Sequence, residues 1–365
     1  MAQYQVMARF IPIILAGGKG ERFWPVSRLK RPKQFLCLDG SDRSLLQSTA
    51  DRLLPLADWE SLFVITASHL ADGVREQLPD IPTENILVEP QGRDTAPAVA
   101  WATLEVAKRF GDDAVCGFFP ADHYITDTTR YLDTLRAASD LAVSKQAIAT
   151  LGITPTFPST GYGYIEQGDD AGTFTAGSVT DLSAYKVSRF TEKPDKETAQ
   201  AFLDSGRYSW NSGMFIFPAA VMIAELKAHA PEMTAALLEK GADAYAELDK
   251  LSIDYAVMEK TERAYVMPAN FGWDDLGDWN AIERLQKSLN GDSDNVEMCD
   301  HVGLDTKGSV LYSADENELI VTIGLEDVVV VRDGNATLIV KKDRTQEIKQ
   351  AVKSIGKIDR FQHLL

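Results

Sequence analysis

A glycine-rich loop crowded with positive charge is the part of this 365-residue sequence best suited to chemistry. Gly17, Gly18 and Gly20 open a segment that ends at residue 33 and contains one acid, Glu21, against six cations: Lys19, Arg22, Arg28, Lys30, Arg31 and Lys33. Glycines let backbone N–H groups approach phosphate oxygens, while arginine clamps two oxygens and lysine supplies a point charge. The loop follows an apolar run, residues 10–15, that is typical of a buried parallel strand. This placement predicts a polyphosphate site and hence a nucleotide enzyme.

Two better-known phosphate motifs are absent from the sequence. The P-loop pattern Gly-x-x-x-x-Gly-Lys-Ser/Thr does not occur, which argues against a kinase or ATPase of that type. The dinucleotide fingerprint fails because Phe23 stands where a third glycine is needed, which disfavours an NAD-binding oxidoreductase. Taken alone, the loop could still be a solvated basic turn whose glycines serve only geometry.

Two aspartates are candidate metal ligands. Asp122 directly follows the fourth predicted strand, and Asp275 precedes a predicted helix. Mg²⁺ prefers oxygen ligands and keeps several waters, so two carboxylates and phosphate oxygens are a sufficient shell. The alternatives are a turn cap at Asp122 and, at residues 274–278, an acidic first turn that complements a helix dipole.

Three further short motifs could hold a sugar phosphate. Glu192 and Lys193 stand at a strand end stopped by proline, where the carboxylate could accept from hydroxyls and the ammonium could neutralise a phosphate. Asn211 offers an amide that both donates and accepts, and Gly163 would allow a close backbone approach. An exposed salt bridge and ordinary turns are the competing interpretations of these motifs.

The pattern of elements predicts an α/β fold with a Rossmann-like, mostly parallel sheet. Strands and helices alternate from about residue 10 to residue 152, and Ser44 and Ser68 are expected to cap two of the helices. Residues 153–291 read as the second half of the same sheet, with a sugar-phosphate subdomain. We therefore predict one domain over residues 1–291. A β-rich C-terminal module is predicted over residues 292–365, with a final helix over residues 345–355 followed by Gly356 at the C′ position.

Composition narrows the classes of partner. The formal net charge of -17 argues against nonspecific binding to nucleic acid or anionic lipid, although a basic cleft could still hold a small polyanion. No membrane-spanning run or cleavable leader is evident, so a cytoplasmic location is expected. The three cysteines are widely spaced and predict neither a disulfide framework nor a zinc site.

Taken together and in order, these motifs resemble those of the sugar-phosphate nucleotidyltransferases. The resemblance is carried by Gly-Gly-x-Gly-x-Arg at 17–22, Pro-Lys at 32–33, Pro-Ala-Asp-His at 120–123, Glu-Lys-Pro at 192–194, Trp-Asn-Ser-Gly-Met-Phe at 210–215 and Trp-x-Asp-x-Gly-x-Trp at 273–279. Trp-Pro at 24–25, Lys-Gln-Phe-Leu at 33–36 and the segment from Glu89 to Ala98 favour the mannose-1-phosphate guanylyltransferase branch. The match runs from about residue 10 to the C-terminal helix.

The resemblance implies that GMP from GTP is joined to mannose 1-phosphate, with release of pyrophosphate and Mg²⁺ as cofactor. Arg22, Lys33, Asp122 and Asp275 would be the catalytic residues, and the two aspartates would bind the metal. The implied nucleotide-binding set is Leu15, Ala16, Gly17, Gly18, Glu89, Arg93, Thr95, Pro120 and Asp122. The implied sugar-phosphate-binding set is Gly163, Glu192, Lys193 and Asn211.

The resemblance also implies a short left-handed β-helix in the C-terminal module, a homodimer, and no nucleic-acid or membrane partner. Long bacterial members carry a further isomerase domain, and no isomerase activity is expected of this sequence. Two alternatives stay open: the same chemistry on another hexose 1-phosphate, and a noncatalytic regulatory paralogue that binds GDP-mannose.

Overall fold

The fold is taken from a computed structural model that describes residues 9–38 and 40–365. The first eight residues of the predicted 1–291 domain, and Asp39, lie outside the described residues.

Strands and helices alternate in the first half of the chain, and strands dominate the end. The strands are β1 Phe10–Ala16, β2 Phe63–Ala67, β3 Ile86–Glu89, β4 Val115–Pro120, β5 Tyr124–Ile125, β6 Ile148–Ile153, β7 Tyr164–Ala176, β8 Val179–Thr191, β9 Tyr208–Pro218, β10 Ala264–Ala269, β11 Trp273–Asp274, β12 Val296–Met298, β13 Asp300–Leu304, β14 Val310–Ser313, β15 Leu319–Ile323, β16 Val328–Asp333 and β17 Ala336–Lys341. The α-helices are α1 Leu45–Leu53, α2 Ala71–Gln77, α3 Thr95–Phe110, α4 Thr128–Lys145, α5 Lys196–Ser205, α6 Ala219–His229, α7 Pro231–Lys240, α8 Trp279–Asn290 and α9 Ile348–Ile355.

The chain forms two compact units, each assembled from separate stretches of sequence. The first unit contains the chain up to Gly17, Ala50–Ala121 and Ile125–Trp273. The second contains Gly18–Thr49, Asp122–Tyr124 and Asp274–Leu365. The predicted domain boundary after residue 291 stays a prediction.

A nine-stranded sheet organises the first unit, in the order β3-β2-β1-β4-β9-β6-β10-β8-β7. The pairs among β3, β2, β1 and β4 are parallel, as the alternating pattern predicted. The sheet then turns mixed, because β9 pairs antiparallel with both β4 and β6, while β6 and β10 are parallel. The expectation that the sheet continues beyond residue 153 holds through β10, whereas residues 274–291 belong to the second unit.

The core of the first unit explains why its strands are so apolar. Ile11 and Ile13 of β1, Phe63 of β2 and Phe118 of β4 are fully buried in one cluster that also takes in α3 and α6. Burying an aliphatic or aromatic side chain stabilises the fold by about 1.5–3 kcal/mol each, so this cluster fixes the strands whose ends carry the candidate site.

The β-rich end of the second unit is built from stacked parallel strands. β12, β14 and β16 form one parallel series, β13 and β15 form another, and β17 pairs antiparallel with β16. Repeated parallel pairing of short strands is the pattern of a β-helix. Its handedness stays a prediction.

Three local expectations need comment. Ser44 caps α1 as predicted, because its hydroxyl accepts from the N–H of Gln47 and its own N–H donates to the Gln47 side chain. Ser68 was wrongly predicted as a cap, since it begins a 3₁₀ turn that precedes α2 and its side chain caps nothing. The last helix starts at Ile348 rather than Thr345, and Gly356 has φ -60°, so it does not adopt the left-handed conformation of a C′ glycine.

Among the described residues, no helix is both long and apolar enough to cross a membrane.

Candidate active site

The carboxyl ends of β1, β3 and β4 bring predicted nucleotide residues together in the first unit. Leu15 lies beside Pro120 in the parallel register, and its carbonyl accepts from the N–H of Ala121 at 3.0 Å. Gly17 follows β1 with its α-carbon facing Glu89: a Cβ added there would lie 3.7 Å from Glu89 Oε2. The carboxyl edge of a parallel sheet is where α/β folds bind ligands, so these residues stand where the sequence predicted.

Glu89 is a buried acid whose carboxyl lies near the Tyr245 hydroxyl. Its side chain ends β3, it is buried, and Oε1 has no hydrogen-bond partner among the described residues. Burial raises the pKa of this carboxyl from 4.5 to about 7. A buried carboxylate oxygen without a donor is costly, and such groups are concentrated at functional sites.

The side chains of Arg93 and Thr95 form hydrogen bonds with a neighbouring segment of the first unit. The Arg93 guanidinium donates to the carbonyls of Tyr245 and Ala246 at 2.9 and 3.1 Å. The Thr95 hydroxyl accepts from the N–H of Ile253 at 2.9 Å. Both residues therefore position the chain from 245 to 253.

The four predicted sugar-phosphate residues form one cluster in the first unit. Asn211, within β9, donates its N–H to the Gly163 carbonyl at 2.8 Å. Glu192 follows β8 and forms an ion pair with Lys193. A Cβ added to Gly163 would lie 2.6 Å from Glu192 Oε2 and 3.4 Å from Asn211 Cβ, so a side chain here would displace the Glu192 carboxylate. Lys193 has φ 45°, a left-handed conformation that non-glycine residues rarely adopt outside strained or functional sites.

Asp254 completes this cluster and was missed by the sequence analysis. It begins a π-helical turn, Asp254–Met258, a feature that is frequent at functional sites. Its Oδ1 accepts from Asn211 Nδ2 at 3.0 Å, while Asn211 Oδ1 accepts from the Gly213 N–H at 3.0 Å, so the orientation of the amide is fixed. Burial, together with the nearby charge of Glu192, raises the pKa of Asp254 to about 6. No short sequence motif marks this residue, and only its contact with Asn211 in the folded protein reveals it.

Aromatic rings form a second feature that the sequence analysis did not anticipate. Trp210 lies one residue before Asn211, and the ring of Tyr162 packs edge-on against it with centroids 5.0 Å apart. Phe157 contacts Trp210 at 4.8 Å and Trp273 contacts Tyr162 at 5.5 Å. Rings beside hydroxyl-binding polar groups are common in ligand sites, where they bury the apolar faces of a ligand.

In the second unit, the glycine-rich loop packs onto Lys33. Gly20 has φ 62°, and a Cβ there would lie 2.9 Å from the Lys33 backbone nitrogen, so the turn excludes other residues. Gly18 has open space around its α-carbon, as a phosphate-approaching position requires.

The Lys33 ammonium joins the two predicted metal ligands. The residue is only 4% exposed, and Nζ lies 2.8 Å from Asp122 Oδ2 and 2.5 Å from the carbonyl oxygen of Asp275. Burial would raise the pKa of Asp122, but the charges of Lys33 and His123, together with the hydrogen bond from Lys33, outweigh it and hold the pKa below its ordinary value. Three residues far apart in sequence are thus drawn to one point, which spacing alone could not establish.

The donor set at this point fits a hard divalent cation. Asp122 brings a carboxylate oxygen to this point and Asp275 a backbone carbonyl oxygen, while the Asp275 Oδ1 accepts from the Gly277 N–H at 3.0 Å. Mg²⁺ is commonly held by one or two carboxylates plus substrate phosphates. Within the described residues, no cluster of three or more His, Cys, Asp or Glu side chains could hold a metal by itself. Asp274 points its carboxylate elsewhere, pairing with Arg284 at 2.9 Å.

The remaining loop cations differ in their surroundings. Arg22 donates from Nη1 to Gln346 Oε1 at 3.0 Å and is partly exposed. Arg28 and Arg31 both approach Asp333, at 3.8 and 3.9 Å, which assigns them to the scaffold of the second unit. Only some of the positive charges of the glycine-rich loop are therefore available to a ligand.

Comparison with known families accounts for most of the chain. The family described as nucleotidyl transferase matches residues 11–291, and a domain described as MannoseP isomerase/GMP-like beta-helix matches residues 299–355.

Similar proteins include mannose-1-phosphate guanylyltransferases. The chain is 39% identical over 371 residues to the mannose-1-phosphate guanylyltransferase ManC of Salmonella typhimurium, covering 97% of this chain and 75% of that protein. It is 38% identical over 373 residues to a mannose-1-phosphate guanylyltransferase of Escherichia coli, covering 98% and 75%. A crystal structure from Thermus thermophilus, described as a mannose-1-phosphate geranyltransferase, matches with a TM-score of 0.84 at 35% identity, covering 95% of this chain and 99% of that one.

Proposed function

This chain belongs to the nucleotidyl transferase family, and we propose that it transfers GMP from GTP to mannose 1-phosphate, giving GDP-mannose and pyrophosphate. The choice of substrates is supported by the likeness to the two guanylyltransferases. The observation that carries the chemistry is the buried Lys33 ammonium held between Asp122 and Asp275. A cation fixed by one carboxylate and one backbone carbonyl suits phosphates that must be drawn together despite their charge.

The glycine-rich loop binds the triphosphate and the departing pyrophosphate in this proposal. Gly17 and Gly18 present backbone N–H groups, Arg22 clamps oxygens, and Lys33 absorbs charge. Leu15, Ala16 and Pro120 line the strand ends beneath the nucleotide. The open space at Gly18 and the pairing of Leu15 with Pro120 at the carboxyl ends of β1 and β4 support this assignment.

Asp122 and Asp275 are the residues that would hold Mg²⁺. Their hard oxygen donors support this choice. The ion, when bound, supplies positive charge that lowers the repulsion between the two phosphate groups.

Glu89 reads the guanine base. Guanine presents two adjacent donors, its ring N1–H and its exocyclic amino group, whereas adenine presents an acceptor and a donor. A buried carboxylate with an unpartnered oxygen is complementary to the first pattern and not to the second. Arg93 and Thr95 contribute by holding the adjacent segment in place.

Gly163, Glu192, Lys193 and Asn211 bind the mannose 1-phosphate. Glu192 accepts from sugar hydroxyls, Lys193 faces the phosphate, and Asn211 donates and accepts. Asp254 fixes the Asn211 amide, which supports a site that distinguishes the direction of hydroxyl groups.

The reaction needs no protein nucleophile, because the sugar phosphate is already an anion. Its oxygen attacks the α-phosphate of GTP in line with the departing pyrophosphate. What the chain supplies is alignment and fixed positive charge, and removing one such group costs roughly 10²–10³ in rate.

The protein acts as a homodimer in this proposal, through an apolar face of the β-helix. Val302 and Leu304 of β13 pair in register with Val321 and Ile323 of β15, and together with Leu319 these side chains are 50–68% exposed. Contiguous exposed apolar surface of this kind marks an interaction site, and a flat face of stacked strands is complementary to a second copy of itself. We place the protein in the cytoplasm, where its composition predicts it to be.

Replacement of Lys33 by methionine tests the chemical assignment directly. Lys33→Met keeps the apolar stem and removes the charge, and kcat for pyrophosphate release should fall by about 10²–10³. Lys30→Met, at an exposed lysine of the same loop, is the matched control and should retain activity. Equal activity of the two variants would refute the role of Lys33.

A further inference from the structure

Gln346 of the C-terminal part of the chain contacts the arginine of the glycine-rich loop, and both lie in the second unit. Gln346 belongs to a 3₁₀ helix, Lys342–Glu347, that leads into α9. Its Oε1 accepts from Arg22 Nη1 at 3.0 Å, and its Nε2 donates to Asp278 Oδ2 at 2.7 Å. The amide therefore links Arg22 to the carboxylate that begins α8.

Asp278 is itself held from several sides. Its Oδ1 accepts from the N–H groups of Asn280 and Ala281 at 3.0 and 3.2 Å, which caps α8. Its Oδ2 also accepts from the Thr345 hydroxyl at 2.9 Å. A helix cap of this kind fixes the position of the carboxylate relative to the rigid helix.

The network allows the Gln346 amide one orientation. If it were flipped, its oxygen would face the Asp278 carboxylate and its NH₂ group would face the Arg22 guanidinium, so two acceptors would meet at one end and two donors at the other. Asp278 thus orients Gln346, and Gln346 presents an acceptor to Arg22. The signal in the sequence is only a glutamine more than 300 residues after the loop, which explains why no motif revealed it.

We propose that Gln346 is a positioning residue that holds Arg22 ready for the triphosphate, so that the C-terminal module takes part in the reaction. This inference rests on the proposed role of Arg22. A long arginine side chain loses rotamer freedom when it clamps a phosphate. A partner that restrains it beforehand reduces this loss, which should lower the barrier for GTP without affecting the sugar phosphate.

Kinetics of Gln346→Ala provide the first measurement. Loss of a hydrogen bond to a charged group predicts a fall of about ten-fold in kcat/KM for GTP, with the KM for mannose 1-phosphate unchanged. The matched control is Glu347→Ala, because Glu347 lies next in the same 3₁₀ helix and pairs with Arg344. That control should keep wild-type kinetics.

Exchanging the hydrogen-bond donor and acceptor between positions 278 and 346 provides a rescue experiment. Asp278→Asn can still cap α8, but its amide turns the Gln346 oxygen away from Arg22, so activity should fall. Adding Gln346→Glu restores an acceptor for Arg22 and one for the new amide at position 278, and should recover most of the activity. A purely structural role would not give recovery in the double variant.

A double-mutant cycle with Arg22→Ala separates the inference from the proposed function. If Arg22→Ala lowers kcat/KM and Gln346→Ala adds nothing in that background, the coupling is supported. Additive losses, or wild-type kinetics of Gln346→Ala beside an impaired Arg22→Ala, overturn the inference alone. Full activity of Arg22→Ala overturns the role of Arg22, and the inference with it.

Discussion

We expect the ionised Glu89 carboxylate to lower the free energy of unfolding while it contributes to nucleotide binding. The Glu89→Gln substitution tests both effects. In the free protein, burial raises the pKa of the Glu89 carboxyl from 4.5 to about 7. Between these pH values the folded protein binds more protons at this site than the unfolded chain does. The free energy of unfolding therefore falls as pH rises through that window, and stays lower above it.

The size of the effect follows from the shift. A pKa that rises from 4.5 to about 7 corresponds to about 3 kcal/mol. This is the largest amount by which ionised Glu89 can lower the free energy of unfolding at pH 8. Glu89→Gln removes the charge and should raise the free energy of unfolding by up to that amount at pH 8, with little change at pH 4. The same substitution should weaken GTP binding about 10- to 100-fold, because one acceptor for the guanine donors is replaced by an NH₂ group.

Denaturant unfolding between pH 4 and pH 9, with and without GTP, measures both parts. Glu84→Gln is the matched control, since Glu84 is an exposed acid shortly before the same strand. A Glu89→Gln variant that is no more stable than the wild type at pH 8 would refute the electrostatic reasoning. A variant that keeps the wild-type Kd for GTP would refute the contact with guanine.

Three further substitutions test other parts of the molecule. Asp254→Asn should raise the free energy of unfolding at pH 8 by up to about 3 kcal/mol but leave it unchanged near pH 3, because burial raises the pKa of this carboxyl from 3.8 to about 6; pH-dependent unfolding curves check this. Gly163→Ala should raise the KM for mannose 1-phosphate by displacing the carboxylate 2.6 Å from the added methyl group. Steady-state kinetics beside Gly161→Ala, whose nearest atom is 3.7 Å away, give the comparison. Val321→Glu should convert the proposed dimer to a monomer, measured by light scattering, whereas Leu238→Glu, an exposed apolar control on α7, should not change the mass.

The fold was largely predictable because its central strands are buried on both faces. β1 reads as an uninterrupted apolar run, and such a run has few alternatives in an α/β protein. β7 was not predicted, since most of its residues are exposed and it lacks the alternation that marks a half-buried strand.

The candidate site was predictable where residues are close in sequence. Glu192 and Lys193 are adjacent in sequence, and their charged side chains identify them as candidates without a structure. Asp254 and Gln346 could not be found in this way, because each acts through a partner more than 40 residues away, Asn211 and Arg22 respectively. Short motifs record local geometry, whereas contacts such as these are decided by packing.

Pyrophosphate release by the purified protein, with Mg²⁺ and each NTP paired with each common hexose 1-phosphate, tests the central claim most directly. We expect rapid release with GTP and mannose 1-phosphate and little with any other pair. Faster release with a different nucleotide or sugar would contradict the assigned specificity. No release from any pair, with GDP-mannose still bound, would contradict the assignment as an enzyme.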